Sequence, residues 1–198
     1  MVDVYRSPAQ EAEVEIKIER SRFIGWVRPV DSEQKAKILI ANRSEQHHQA
    51  THNAWAYRID PRRDTRFASD AGEPTGTAGE PIMRAILSFE LTDVLVVVTR
   101  YYGGKKLGIR GLIDAYGQAA SQALAAAGIA AKLIAETFRI TISYPELDRC
   151  LHLLKTIGGQ VLAADYKEQV TLKVAVPQSK AASFATQVQH IARIENWS

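Results

Sequence analysis

The chain has 198 residues, 46% of them hydrophobic and 24% charged, with a formal net charge of +3. Those proportions are ordinary for soluble globular proteins, and they exclude a largely disordered chain, a collagen-like rod and a coiled coil. A single cysteine, Cys150, cannot form an internal bridge, so a disulfide-stapled scaffold is excluded and a reducing compartment is suggested.

Val14, Ile16 and Ile18 alternate with charged residues, a period of two that predicts a half-buried strand. Residues 23–30 predict its partner, with a turn over 19–21. A helix is expected from Asp31, with Gln34 completing a weak capping box and Ala36, Leu39 and Ile40 as its apolar stripe. The aromatic-rich residues 54–59 read as a strand. From Asp60 to Pro81 the pattern stops, and a structureless stretch of that length in a compact domain is usually functional or disordered. Pro81 suits the first turn of a helix over 82–89. Residues 94–99 form a β-branched run that predicts a strand buried on both faces. A helix follows over about 111–127, with Leu112, Ala115, Ala119, Ala123 and Ala126 on or near one face and Gly128 as its C-terminal cap.

After residue 133 a second pattern begins. Strands over 138–142, 161–164 and 170–176, helices over 145–157 and 177–191, and a short terminal strand give the order β-α-β-β-α-β, which is ferredoxin-like. The expected division is 1–133 and 134–198, in an α/β (α+β) fold class. The densest apolar run, 94–98, falls far short of the roughly 20 residues of a membrane span. The first residues lack a signal peptide's basic start and apolar stretch, so a cytoplasmic location is expected.

Two stretches hold the chemistry. The first is Arg100, Tyr101, Tyr102, Gly103, Gly104, Lys105, Lys106, then Gly108 and Arg110. It follows a buried strand and opens a helix, and no acid lies between Asp93 and Asp114. Glycines admit close approach of a ligand, helix-start N–H groups favour anions, and the cations add charge. The combination suits a phosphate. The spacing matches neither a Walker A loop nor a dinucleotide fingerprint, and no cofactor is expected. The alternative reading is a tight strand-to-helix turn with a solvated basic rim. Tyr101 and Tyr102 are candidates for base stacking, although alternation on a strand end sends one of them toward the core.

The second stretch runs through Ser69, Asp70, Gly72, Glu73, Thr77 and Gly79. Asp70 and Glu73 are the right residue types for an acid/base pair or a hard cation. Turn-forming neighbours favour a loop that caps its own backbone instead. His47, His48 and His52 lack the fixed third and fourth ligands of a zinc site, so no metal is expected. No Gly-x-Ser-x-Gly elbow is present, and no catalytic residue is assigned.

Taken together, Ser21-Arg22-Phe23-Ile24, Thr51 to Tyr57, Ser69 to Pro81, and Val98 to Gly104 with Leu107-Gly108 and Gly111-Leu112 through Ala115-Tyr116-Gly117 resemble the IMPACT family, specifically its bacterial YigZ-like members. The resemblance extends more loosely into the second half through Tyr144, Gly159, the Asp165-Tyr166 turn and residues 170–176. Ala54 stands where family members often carry cysteine, and Arg110 where they often carry glycine. The resemblance implies an N-terminal ribosomal-protein-type α/β domain and a C-terminal domain similar to the last domain of elongation factor G. It also implies a connection with translation, because both folds recur in translation and RNA-binding proteins. Eukaryotic members act in translational control by binding a regulator of an initiation-factor kinase, a pathway absent from bacteria.

The expectation is a non-enzymatic binding protein associated with translation or its regulation. Its partner would be RNA, the ribosome, a translation factor or another phosphate-bearing ligand, with no membrane involved. The glycine-rich basic loop would bind, with His52, Asp70, Gly72, Glu73, Thr77 and Gly79 forming the second loop of the site. The alternatives are an enzyme on a phosphorylated small molecule or nucleotide, using Asp70 or Glu73 as base or metal ligand, and a protein–protein adaptor.

Overall fold

In the computed structural model, which describes residues 3–197, the chain divides into two compact units. One is Tyr5–Lys132; the other begins at Leu133 and also holds Asp3 and Val4. Asp3 joins the second unit through hydrogen bonds. Its carboxylate accepts the Ser179 backbone N–H (2.8 Å) and the Ser179 hydroxyl, and its carbonyl accepts the Ile134 N–H at 2.7 Å.

The first elements are β1 (Val4–Pro8), β2 (Ala12–Ile18), β3 (Ser21–Pro29), α1 (Glu33–Gln46), β4 (His52–Ile59) and β5 (Thr65–Ser69). They are followed by α2 (Gly79–Ser88), β6 (Val94–Tyr101), α3 (Gly108–Ala127) and β7 (Ile129–Leu133). A five-stranded antiparallel sheet runs in the order β2-β3-β6-β4-β5, and β1 pairs with β7 in a separate ribbon. Strand β6 lies at the centre because its β-branched run is apolar on both faces. Val94, Val96 and Val98 pack in the core that α2 and α3 cover. Leu95 and Val97 pack in a smaller core with Trp26, Tyr57 and Ala36 of α1. Each such fully buried side chain contributes roughly 1.5–3 kcal/mol.

The second unit contains β8 (Ala135–Ile142), α4 (Tyr144–Thr156), β9 (Gln160–Tyr166), β10 (Val170–Pro177), α5 (Ala181–Val188) and β11 (Arg193–Asn196). Its sheet order, β11-β8-β10-β9, is the ferredoxin-like arrangement expected from the sequence. Alternate residues of β8 and β10, from Phe138 to Val176, form its core with Cys150, Leu154, Phe184 and Val188. Burial pushes the Cys150 thiol above its ordinary value.

Several local expectations are corrected. Strand β5 lies inside the stretch read as patternless, and β1 and β7 flank the first unit unannounced. Helix α1 is capped by Ser32, whose hydroxyl accepts the Lys35 N–H at 3.4 Å, whereas Asp31 pairs with the Lys35 ammonium at 2.7 Å. Helix α3 starts three residues earlier than expected, and Ala127 rather than Ala126 closes its buried face. The 177–191 helix is a 3-10 turn, Gln178–Lys180, followed by the shorter α5. Among the described residues, no helix is long and apolar enough to cross a membrane.

Candidate anion-binding site at the head of helix α3

The sheet register brings the two loops together. His52, at the start of β4, sits opposite Arg100 near the end of β6, and Arg22 of β3 sits opposite Tyr101. The chain leaves β6 through residues 102–107 and turns into α3. Gly103 is required by close approach: a Cβ there would stand 1.8 Å from the Arg20 carbonyl oxygen. The Tyr102 N–H donates to the Thr51 hydroxyl (3.0 Å) and the Gly103 N–H to the Ser21 hydroxyl (3.3 Å), which fixes the path of the loop. Gly108 opens the helix at a φ of 71°.

Residues 70–78 cap helix α2. The Asp70 carboxylate accepts the N–H groups of Gly76 (2.8 Å), Ala78 (2.9 Å) and Gly79 (2.9 Å). Burial pushes the Asp70 carboxyl up, but these three donors hold it below its ordinary value. Asp70 is therefore occupied by its own backbone. Thr77 likewise donates its hydroxyl to the Pro74 carbonyl (2.6 Å). Gly79 lies against the backbone of Ser69, and Gly72 lies beside the His52 ring.

Glu73 behaves differently. Its side chain is buried, and Oε1 accepts both Arg100 Nη1 (2.6 Å) and the Tyr116 hydroxyl (2.8 Å). Burial and the Glu73 charge push the Tyr116 phenol well above its ordinary value. Glu73 Oε2 lies 3.8 Å from His52 Nε2. His52 Nδ1 lies 2.9 Å from the Ala71 carbonyl oxygen. The Arg100 guanidinium also sits 5.3 Å from the Tyr102 ring centre and 5.5 Å from that of Phe23, and its Nε is buried without a hydrogen-bond partner among the described residues.

A cavity of about 400 Å³ opens above this cluster. Of the residues singled out from sequence, Arg100, Tyr102, Lys106, Gly108, His52 and Glu73 line it. Leu107, Ile109 and Leu112 supply apolar wall. The remaining residues are elsewhere. Tyr101 donates to or accepts from His47 Nδ1 (2.9 Å) and carries the Arg22 guanidinium over its ring. Lys105 pairs with Glu19 at 2.7 Å, and Gly104 has open space around it. Arg110 is exposed in the first turn of α3. The four cations thus fall into two kinds: Arg100 and Lys105 are matched to carboxylates, whereas Lys106 and Arg110 have no ion pair among the described residues. His47, His48 and His52 bond to three different partners and do not converge.

The contribution of Tyr116 was not read from sequence. Its only local signal is its place on the buried face of α3, one turn beyond Leu112. A larger depression, about 680 Å³, lies on the second unit's sheet around Arg139, Thr141, Thr171 and Arg193. None of the candidate site residues read from sequence lines it.

The loops that build this site fall inside residues 19–124, which match the family described as the Impact N-terminal domain. The chain belongs to the IMPACT family. Residues 140–193 match a second family, a domain of unknown function designated DUF1949. Among IMPACT family members, YvyE of Bacillus subtilis is 35% identical over 185 residues, covering 93% of this chain and 85% of its own. YigZ of Escherichia coli is 32% identical, covering 94% of this chain and 92% of its own. A solved structure described as a hypothetical protein is 28% identical and superimposes with a TM-score of 0.71, covering 100% of this chain and 99% of its own. The two-domain IMPACT architecture therefore runs through the chain, as the resemblance implied.

Proposed function

We propose that this chain is a non-enzymatic binding protein connected with translation or its regulation, and that it takes RNA or another phosphate-bearing ligand at the head of α3. One observation carries the binding reading. At the head of α2 the N–H groups of Ala78 and Gly79 are taken by Asp70. Helix α3 instead begins at Gly108 after Leu107, which has no side-chain acceptor, and no side-chain bond to its first N–H groups is seen among the described residues. The first four N–H groups of a helix need acceptors from outside the helix, and an anion is a natural one. Gly108 and Ile109 border the cavity, with Lys106 beside them. The link to translation is supported by family membership, through the role that the resemblance assigns to eukaryotic IMPACT proteins.

The test is fluorescence anisotropy with a short single-stranded RNA at low salt. Lys106→Ala and Arg110→Ala should each weaken binding and flatten the salt slope by up to about one unit. Lys105→Ala should have a smaller effect than either, because that ammonium is held at Glu19 and does not line the cavity. Absence of binding to RNA and to inorganic phosphate at low salt overturns the reading.

A further inference from the structure

We propose that the cavity at the head of α3 is a ribonucleotide pocket, in which the vicinal diol of one ribose is held by His52 and Glu73. The inference rests on the phosphate-binding reading above and names its ligand.

The size of the cavity comes first. About 400 Å³ lies near the lower end of the roughly 300–1,000 Å³ typical of small-ligand sites. It suits a single nucleotide rather than a length of strand.

The pattern of donors and acceptors comes second. A carbonyl oxygen only accepts, so His52 Nδ1, at 2.9 Å from Ala71 O, carries a hydrogen. In the neutral ring Nε2 is then an acceptor. Glu73 Oε1 is filled by Arg100 and Tyr116, and Oε2 faces His52 Nε2 across 3.8 Å, beyond hydrogen-bond length. With the ring uncharged, two acceptors stand side by side with no donor between them. A vicinal diol presents two adjacent O–H donors and answers both. A carboxylate is the usual holder of a ribose diol in dinucleotide sites.

Charge decides between this ligand and an ammonium, which also donates more than once. Arg100 already balances Glu73, while Lys106 and the start of α3 leave the cavity positive. An anion bearing hydroxyls fits that balance and a cation does not.

The base has a platform as well. Tyr102 is 44% exposed and Ile109 67% exposed, both at the cavity, and an exposed aromatic ring backed by a guanidinium is a stacking surface. Phosphate, diol and base thus each have a counterpart within one cavity.

Calorimetric titration of the full chain tests this. The probes are adenosine and uridine 5′-monophosphates, their 2′-deoxy forms, inorganic phosphate, and a short RNA with its terminal diol intact or removed. Ribonucleotides should bind about tenfold or more tightly than deoxynucleotides, because the missing hydroxyl leaves one of the site's two acceptors unpaired. His52→Phe should weaken ribonucleotide binding more than deoxynucleotide binding and so bring that ratio toward one. Lys106→Ala should weaken both forms alike and preserve the ratio. A melting curve for each variant separates loss of fold from loss of contact. Binding by the free nucleotide alone, or stronger binding by RNA only when its diol is intact, supports the pocket and identifies the source. Equal affinity for ribose and deoxyribose, unaffected by His52→Phe, overturns the diol assignment and leaves the phosphate reading standing. RNA binding that ignores the terminal diol, with no nucleotide binding, does the same. Failure of every phosphate-bearing probe overturns both.

Discussion

Glu73 and Asp70 stand three residues apart in one loop, yet their removal should be felt very differently. Glu73→Ala leaves the Arg100 charge buried and the Tyr116 hydroxyl without its acceptor. Breaking one half of a buried ion pair costs about 3–5 kcal/mol. Asp70→Ala loses a helix cap, roughly 0.5–2 kcal/mol. Denaturant unfolding of the two variants should show this order, and equal effects would count against the buried pair. Asp70 also carries a pH dependence. Because Asp70 is held below its ordinary value, its contribution is complete above the unfolded value of about 4 and is lost as pH falls through the lower folded value. The stability gap between wild type and Asp70→Asn should therefore be constant near neutrality and shrink below about pH 4. A gap that widened in acid would show the sign to be wrong.

At the scale of elements, the turn between β6 and α3 is fixed by contacts rather than by flexibility. Gly103→Ala drives a methyl group into the Arg20 backbone, and should cost at least the roughly 1–3 kcal/mol of an overpacked site. Gly104→Ala meets no atom within 4 Å and pays only for a φ of 86°. A smaller loss for Gly103→Ala than for Gly104→Ala, in thermal unfolding, would contradict the packing described. The turn itself was legible because a β-branched run and an alanine-rich period bracket a cluster of glycines. Strand β5 was not, since Thr65–Ser69 is an edge strand with little burial and so carries no apolar alternation. The polarity of the site was half legible. Sequence shows Arg100 and Lys105 as free cations, and only tertiary structure brings Glu73, 27 residues away, and Glu19, 86 residues away, to neutralise them. Tyr116 was hidden for the same reason: its acceptor is 43 residues distant in the chain.

For the whole molecule, the two units have separate hydrophobic cores, one built on β6 and α3 and the other on β8 and β10. A ligand that binds in the first unit should stabilise that unit by mass action, by about 2.7 kcal/mol at one hundred times its dissociation constant. Hydrogen exchange with and without nucleotide should show slowed amides across β3, β4, β6 and α3, and unchanged amides across β8–β11. Uniform slowing throughout the chain would show that the two units open as one.

Cys150 gives that last question a second, simpler handle. The chain has one thiol, and it lies wholly buried in the core of the second unit. A colourless disulfide reagent that releases dye on reaction can reach it only when that core opens, so all of the absorbance change comes from one event at one place. No cysteine has to be added and none removed. Where reagent is concentrated enough for reaction to outpace reclosing, the rate of colour development is a direct clock for opening of the second unit, and a nucleotide seated in the first should leave the clock's pace unaltered.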